Sequence, residues 1–294
     1  MKEIVIISGK GGTGKTSITA ALGALAGEQA VVVDCDVDAA NLHILYEPKI
    51  ESSQDFYSGK TAIIDNDLCT DCGICQEKCA FEAIDFKNGR YVIDEVKCEG
   101  CSVCFHLCPV EAIRMEENLA GKWFHSKSRF NNEFIYAHLG IGQENSGKLV
   151  AKVKQEAKKI ASNKNIPFIF VDGPPGVGCP VISSLSNVDH VLLVTEATAS
   201  GLHDLKRLVE LIEYFKLKAS CVINKSDLNE QMAGTIADFC REHQIPLINQ
   251  IPYHPVFVET LNQKKTLMES KDETIKERIS EIFDFLTNDE EKQK

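Results

Sequence analysis

The sequence predicts an α/β fold, a largely parallel sheet covered by helices on both faces, with a smaller α+β unit inserted into it. Three observations carry that expectation. Short, near-continuous apolar runs alternate with segments of helical period, the pattern of buried parallel strands joined by crossover helices. A glycine-rich turn over residues 9–16 joins the first apolar run to the first helical one. Eight of the twelve cysteines crowd between positions 69 and 108, where the alternation stops.

Composition narrows the function classes. The 294 residues, 44% apolar and 26% charged, suffice for an ordinary globular core. The 32 basic and 43 acidic residues leave a net charge of −11. A nucleic-acid reader needs a concentrated basic face, so no nucleic-acid partner is expected. No apolar run is long enough to span a bilayer, and residues 1–7 lack the form of a signal segment. A cytoplasmic protein without a membrane partner is the expectation. Cysteines in a reducing compartment point to metal or redox chemistry rather than disulfides.

Taken in order, residues 3–8 read as a buried strand, 17–26 as an Ala/Leu-rich helix and Ala30–Asp34 as a second strand. After the cysteine segment, a helix is expected over 148–162 with Ser146 as its N-cap. Strands follow at 166–171, 188–195 and 218–224, and helices near 202–215 and 230–243. In residues 273–286, Ile275, Ile279, Ile282, Phe283 and Leu286 share one helical face. Its opposite face mixes Lys276, Glu277, Arg278, Glu281 and Asp284. A membrane-surface helix would be basic there, so this one should pack on the domain. Packing is also the expected role of Trp123, His125, Arg129 and Phe130.

Gly9-Lys10-Gly11-Gly12-Thr13-Gly14-Lys15-Thr16 fits the P-loop pattern G-x-x-x-x-G-K-[ST], placed between a strand and a helix. Gly9, Gly11, Gly12, Thr13 and Gly14 let backbone N–H groups converge on phosphates. The helix start at Lys15, Thr16 and Ser17 adds the positive end of its dipole. Lys15 is expected at the β/γ-phosphates of ATP and the Thr16 hydroxyl on Mg²⁺. Asp172 ends an apolar strand and opens Asp172-Gly-Pro-Pro-Gly176, where a second Mg²⁺ contact belongs.

Residues 63–115 are an internal repeat. Cys69, Cys72, Cys75 and Cys79 recur as Cys98, Cys101, Cys104 and Cys108, each 29 positions later, and Glu82-Ala-Ile84 recurs as Glu111-Ala-Ile113. Both sets have the bacterial ferredoxin spacing, in which the fourth cysteine ligates the other cluster. One 4Fe–4S cluster would take Cys69, Cys72, Cys75 and Cys108, the other Cys98, Cys101, Cys104 and Cys79. Ala80 stands where the first motif usually has proline, which removes no ligand. Zinc is the competing metal, but zinc sites usually gather two separated cysteine pairs. Residues 60–118 hold 12 acids and 6 bases, over half of the chain's net charge. Cys35, Cys221 and Cys240 are expected to be core residues.

With Lys10 inside the glycine loop, the chain resembles the deviant Walker A ATPases of the MinD/ParA/nitrogenase-iron-protein superfamily, in the form that contains an inserted two-cluster ferredoxin domain. The resemblance covers residues 1 to about 45 and 166 to about 265. It implies a P-loop ATPase domain over 1–58 and 119–294, with the ferredoxin domain at 59–118. It also implies a nucleotide-sandwiched homodimer, or a heterodimer with a related ATPase chain, in which Lys10 reaches the partner's phosphates. Asp34-Cys-Asp-Val-Asp-Ala-Ala-Asn41 is similar to the family's first switch, with Asp36 orienting the attacking water and Asp38 a neighbouring competitor. Asn224 and Pro252 are similar to the family's base-contacting positions. Cys179, seven residues after Asp172, matches the offset of the cysteine that bridges a cluster between subunits in the nitrogenase iron protein.

These readings converge on an expected function: ATP binding and hydrolysis coupled to iron–sulfur electron transfer to a redox partner protein. Iron–sulfur cluster carriage or assembly is the alternative. A positioning ATPase of the septum or partition type fits less well, because no basic surface is visible.

Overall fold

The computed structural model describes residues 1–37, 40–140 and 146–288, and the chain divides into two compact units. The first comprises Met1–Gln54, Trp123–His138 and Ser146–Lys294; the second comprises Asp55–Lys122 and Leu139–Asn145. The strands are β1 (Lys2–Ser8), β2 (Ala30–Asp34), β3 (Lys49–Ile64), β4 (Ile84–Lys87), β5 (Arg90–Ile93), β6 (Ile113–Lys127), β7 (Glu133–Leu139), β8 (Phe168–Pro175), β9 (His190–Glu196), β10 (Ala219–Asn224) and β11 (Leu247–Ile251). The helices are α1 (Lys15–Ala26), α2 (Leu42–Tyr46), α3 (Ile74–Glu77), α4 (Val103–Leu107), α5 (Ser146–Lys164), α6 (Cys179–Leu185), α7 (Ala199–Phe215), α8 (Glu230–Glu242), α9 (Val256–Asn262) and α10 (Glu273–Thr287).

In the first unit the sheet runs in the order β11-β10-β9-β1-β8-β2-β7 and continues into β6 and β3. The pairs from β11 to β7 are parallel. Such a sheet must be buried on both faces, and β1, β2 and β9 are buried along almost their whole length. Ile4, Ile6, Phe170, Leu192 and Val222 point to one face, where they meet Ile18 and Leu22 of α1 and Ile275, Ile279, Ile282 and Leu286 of α10. The period of two turns Val5 and Ile7 the other way. The C-terminal amphipathic helix is thus a core helix. A second cluster joins Val32, Phe134 and Tyr136 to Leu42, Leu45 and Tyr46 of α2, with Phe124 and Phe130 packed against it.

Arg129 lies over the Phe130 ring and forms a fork with Glu269 at 2.6 Å on both arms, so that aromatic–basic stretch packs within the first unit. α5 starts at Ser146, making the serine its first residue rather than its cap; the preceding position lies outside the described residues. Among the described residues no helix is long and apolar enough to cross a membrane.

The second unit is small, with α3, α4 and the antiparallel hairpin β4–β5, which pairs Ile84 with Ile93. The strands β3 and β6 carry the chain into it and back.

Candidate functional site

In the first unit the polar residues gather at the C-terminal ends of the parallel strands, where α/β sheets bind ligands. Behind β1 the loop turns through left-handed backbone at Gly12 (φ 80°) and Gly14 (φ 91°) before α1 opens. A Cβ on Gly14 would also stand 2.5 Å from the Asn224 amide nitrogen, so only glycine fits there. The loop is braced from β10 and the residue after it. Asn224 Nδ2 donates to the Thr13 carbonyl at 2.8 Å, and Lys225 Nζ to the Gly12 carbonyl at 3.0 Å.

Register brings two acids together, because β2 and β8 pair with Asp34 opposite Asp172. Asp172, 1% exposed, accepts from Lys15 Nζ at 2.7 Å, Thr16 Oγ1 at 2.7 Å and Thr19 Oγ1 at 3.0 Å. Its carbonyl takes the Cys35 N–H. Asp34 is fully buried and accepts from the backbone N–H groups of Asp36 (3.1 Å) and Leu42 (3.0 Å), pinning both ends of the segment that contains the switch. Asp38 lies outside the described residues.

Burial first, and the charge of Asp172 second, raise the Asp34 carboxyl from 3.8 to about 8. A raised carboxyl binds more protons folded than unfolded, so its stability contribution is full below about 3.8 and is lost as pH rises through about 8. The nucleotide-free protein should therefore melt at progressively lower temperature between about pH 4 and pH 8. Asp34→Asn should flatten that slope, as differential scanning fluorimetry across the pH series would read.

Glu196, at the end of β9, forms ion pairs with Lys10 and with Lys225, the latter at 3.0 Å. Burial opposes its charge, yet the two lysines hold its carboxyl below the usual range. Lys10 Nζ also donates to Ser200 Oγ at 2.9 Å.

A cleft of about 840 Å³ opens beside the loop. Gly11, Gly12, Thr13, Gly14, Lys15, Thr16, Ser17, Asp36 and Asn224 line it; Gly9, Lys10, Asp172 and Pro252 do not. Its lining also includes Ile44, Leu45, Tyr253, Phe257 and Leu261, and these apolar and aromatic side chains suit an aromatic base as the loop suits phosphates. Sequence reasoning missed Thr19, Glu196 and Phe257, and gave no separate role to Asp34, which opens the switch segment, or to Lys225, which follows Asn224 in the base-contacting segment. Asp34 and Glu196 carried a usable signal, an acid at the end of an apolar strand, which is the same cue that marked Asp172.

In the second unit the repeat is also a repeat of backbone. Left-handed residues recur at the 29-residue offset: Asp71 and Gly100, Gly73 and Ser102, Glu82 and Glu111. The halves cross, with Asp65 N–H donating to the Ala112 carbonyl (2.7 Å) and Asp94 N–H to the Ala83 carbonyl (2.8 Å). One cavity is lined by Cys69, Cys72, Cys75 and Cys108, a second by Cys79, Cys98, Cys101 and Cys104. Each fourth sulfur accepts a backbone N–H, Cys79 from Ala83 at 3.4 Å and Cys108 from Ala112 at 3.2 Å. None of the eight forms a disulfide. Burial, with neighbouring thiols adding, pushes Cys75 and Cys104 up, so without a metal these sulfurs keep their protons at neutral pH. Cys35, Cys221 and Cys240 are buried, whereas Cys179 is exposed at the start of α6.

A strand–glycine loop–helix with a buried Lys–Asp–Thr constellation on a parallel sheet defines a P-loop nucleotide-binding protein. More specifically, the chain belongs to the CobQ/CobB/MinD/ParA nucleotide-binding domain family, whose model matches residues 4–267. It is 36% identical over 287 residues to the uncharacterized protein MJ0578 of Methanocaldococcus jannaschii, covering 97% of this chain and 96% of that one. A second uncharacterized protein of that organism, MJ0579, is 25% identical, covering 80% and 85%. The iron–sulfur cluster carrier protein of Rickettsia bellii is 26% identical over 136 residues, covering 45% and 42%. In fold the chain is similar to the septum site-determining protein MinD of Pyrococcus horikoshii OT3 complexed with Mg-ADP. The TM-score is 0.57 at 18% identity, over 98% of this chain and 96% of that one.

Proposed function

We propose that this protein is a Mg²⁺-dependent ATPase whose nucleotide cycle governs electron transfer from two 4Fe–4S clusters to a partner protein. One observation carries the reading. Each cavity of the second unit gathers three cysteines of one repeat and the fourth of the other, in a chain that also folds a phosphate loop. The first unit is the ATPase domain and the second the ferredoxin-type module.

The Thr16 hydroxyl and Asp172 are suited to Mg²⁺, a hard cation bound through oxygen. Lys15, now on Asp172, is the group that meets the β/γ-phosphates, and Asp36 lines the cleft where an attacking water must be oriented. Asn224 and the segment after Pro252 serve the base. Lys10 is held by Glu196 and Ser200 of its own chain and is the candidate to cross to a partner ATPase chain. That partner is a second copy or a related chain; the two relatives within one archaeon favour the second arrangement. The cysteine sets supply the clusters' thiolates, and the clusters supply one-electron chemistry.

Anaerobic quantification of iron and sulfide, followed by redox titration with and without Mg-ATP, tests the reading. About eight irons per chain are expected, with a midpoint that moves when nucleotide binds. Iron-free protein, or titration curves and ATPase rates indifferent to each other's ligand and redox state, would overturn it.

A second reading, a cluster carrier, draws on the Rickettsia relative and on exposed Cys179. Rapid release of iron and sulfide to an apo-acceptor would favour it. Ferredoxin-type ligation by four thiolates argues for retention.

A further inference from the structure

The two cysteine repeats share a backbone but not a surface, and the difference singles out one of them. At and just beyond α3 the residues facing solvent are Gln76, Glu77 and Lys78, the last two paired with each other at 2.7 Å. At the same positions 29 residues on, α4 exposes Phe105, His106 and Leu107. Phe105 is 43% and Leu107 45% exposed, beside Val103 at 41% and Phe81 at 44%. Phe81 and Val103 also line the cavity of Cys79, Cys98, Cys101 and Cys104, together with exposed Glu99. Val103 and Phe81 have apolar counterparts in Ile74 and Val110, but Gln76, Glu77 and Lys78 prove that this backbone does not need apolar residues at the positions of Phe105 and Leu107. Clustered aromatic and aliphatic side chains left in water next to a functional cavity mark a docking surface.

We propose that α4 and Phe81 are the docking surface for a basic electron-transfer protein, which thereby places its redox centre against the cavity of Cys79, Cys98, Cys101 and Cys104. The proposal rests on the ferredoxin-type reading of the eight cysteines. Charge selects the occupant. The segment 60–118 carries 12 acidic and 6 basic residues, so the partner that fits presents an apolar centre ringed by lysine or arginine. The transfer moves one electron: the iron–sulfur centre is oxidised by one, the partner's centre is reduced by one, and no bond breaks.

Ferricytochrome c, a small basic haem protein, serves as the probe. Its affinity for the anaerobically prepared, oxidised full chain is measured calorimetrically at low and high salt. The triple variant F105Q/H106E/L107K transplants the α3 residues onto α4 and leaves the net charge unchanged, so a loss reports apolar contact alone. Kd should rise about tenfold, with iron and sulfide as in the wild type. Should the triple variant lose its iron, Phe105→Gln alone should raise Kd in the same direction. The charge-neutral control E77Q/K78Q on the first repeat should leave Kd within about twofold, and wild-type binding should weaken with salt. Unchanged affinity in the α4 variants, equal losses from the control, or salt-independent binding would each overturn the proposal while iron-loaded protein upholds the reading beneath it. Iron-free wild type would overturn that reading itself.

Discussion

The double variant C69S/C108S should keep about four irons per chain, while C69S/C79S should keep almost none. The pairs are chosen so that sequence proximity and spatial grouping give opposite answers. Cys69 and Cys79 belong to one repeat, yet they line different cavities; Cys69 and Cys108 are 39 positions apart and line the same one. Two serines in one ligand set remove one cluster. Two serines in separate sets strip a thiolate from both, and a three-thiolate site loses its cluster on exposure to chelator. Because ligation and folding of such small units are coupled, the second variant should also melt earlier than the first. Iron analysis after brief chelator treatment, with low-temperature EPR of the reduced protein, reads both outcomes. The reverse pattern would mean that each repeat ligates its own cluster.

Much of this architecture was legible because the sequence signals were dense and local. The strand at Ala30–Asp34 is five consecutive apolar or strand-ending residues, and it folds with those bounds. The helices near 202–215 and 230–243 begin three residues earlier and end one residue earlier, respectively. A cap explains the earlier start of α7, where Thr198 accepts the N–H of Gly201, and Asn229, accepting from Met232, fixes the start of α8 where it was expected; such side chains fix helix starts more firmly than apolar period does.

The strands β3, β6 and β7 were not legible. β3 reads Lys-Ile-Glu-Ser-Ser-Gln-Asp over its first seven residues, all exposed. A strand whose side chains meet water on both faces has no alternation to detect; its hydrogen-bonding neighbours alone make it a strand. β11 was hidden for a related reason, as Leu247 and Ile248 are only half-buried and Gln250 is exposed.

At the site the same division holds. The phosphate loop and the cysteine sets are spacings within one stretch of chain, and spacing is what sequence preserves. The pairing of Asp34 with Asp172 is a register between strands 138 positions apart. The double grip of Glu196 on Lys10 and Lys225 joins three separate loops. Nothing local in the sequence encodes those contacts, although each acid sits where an apolar strand ends.

Lys15→Ala should lower ATP turnover about 1,000-fold, in the range seen when one preorganised cationic or hydrogen-bonding group is removed from charge developing on a transferring phosphoryl. The buried setting adds a second effect that an exposed lysine would not show. Lys15 and Asp172 are 6% and 1% exposed at their side chains and 2.7 Å apart, with the Asp34 carboxyl alongside. Removing one partner of a buried pair leaves the other charge uncompensated, which typically costs about 3–5 kcal/mol. Thr16 and Thr19 still donate to Asp172, so the lower end of that range is expected. The two effects separate in the double variant K15M/D172N. Replacing both members of a buried pair by uncharged groups of similar volume is often neutral, so the nucleotide-free double variant should melt close to wild type while its turnover stays as low as in Lys15→Ala. A double variant that melts as early as the single one would show that the lysine stem or the Asp172 hydrogen bonds, rather than the lost charge balance, carry the stability. Recovery of turnover would remove Lys15 from phosphate chemistry altogether.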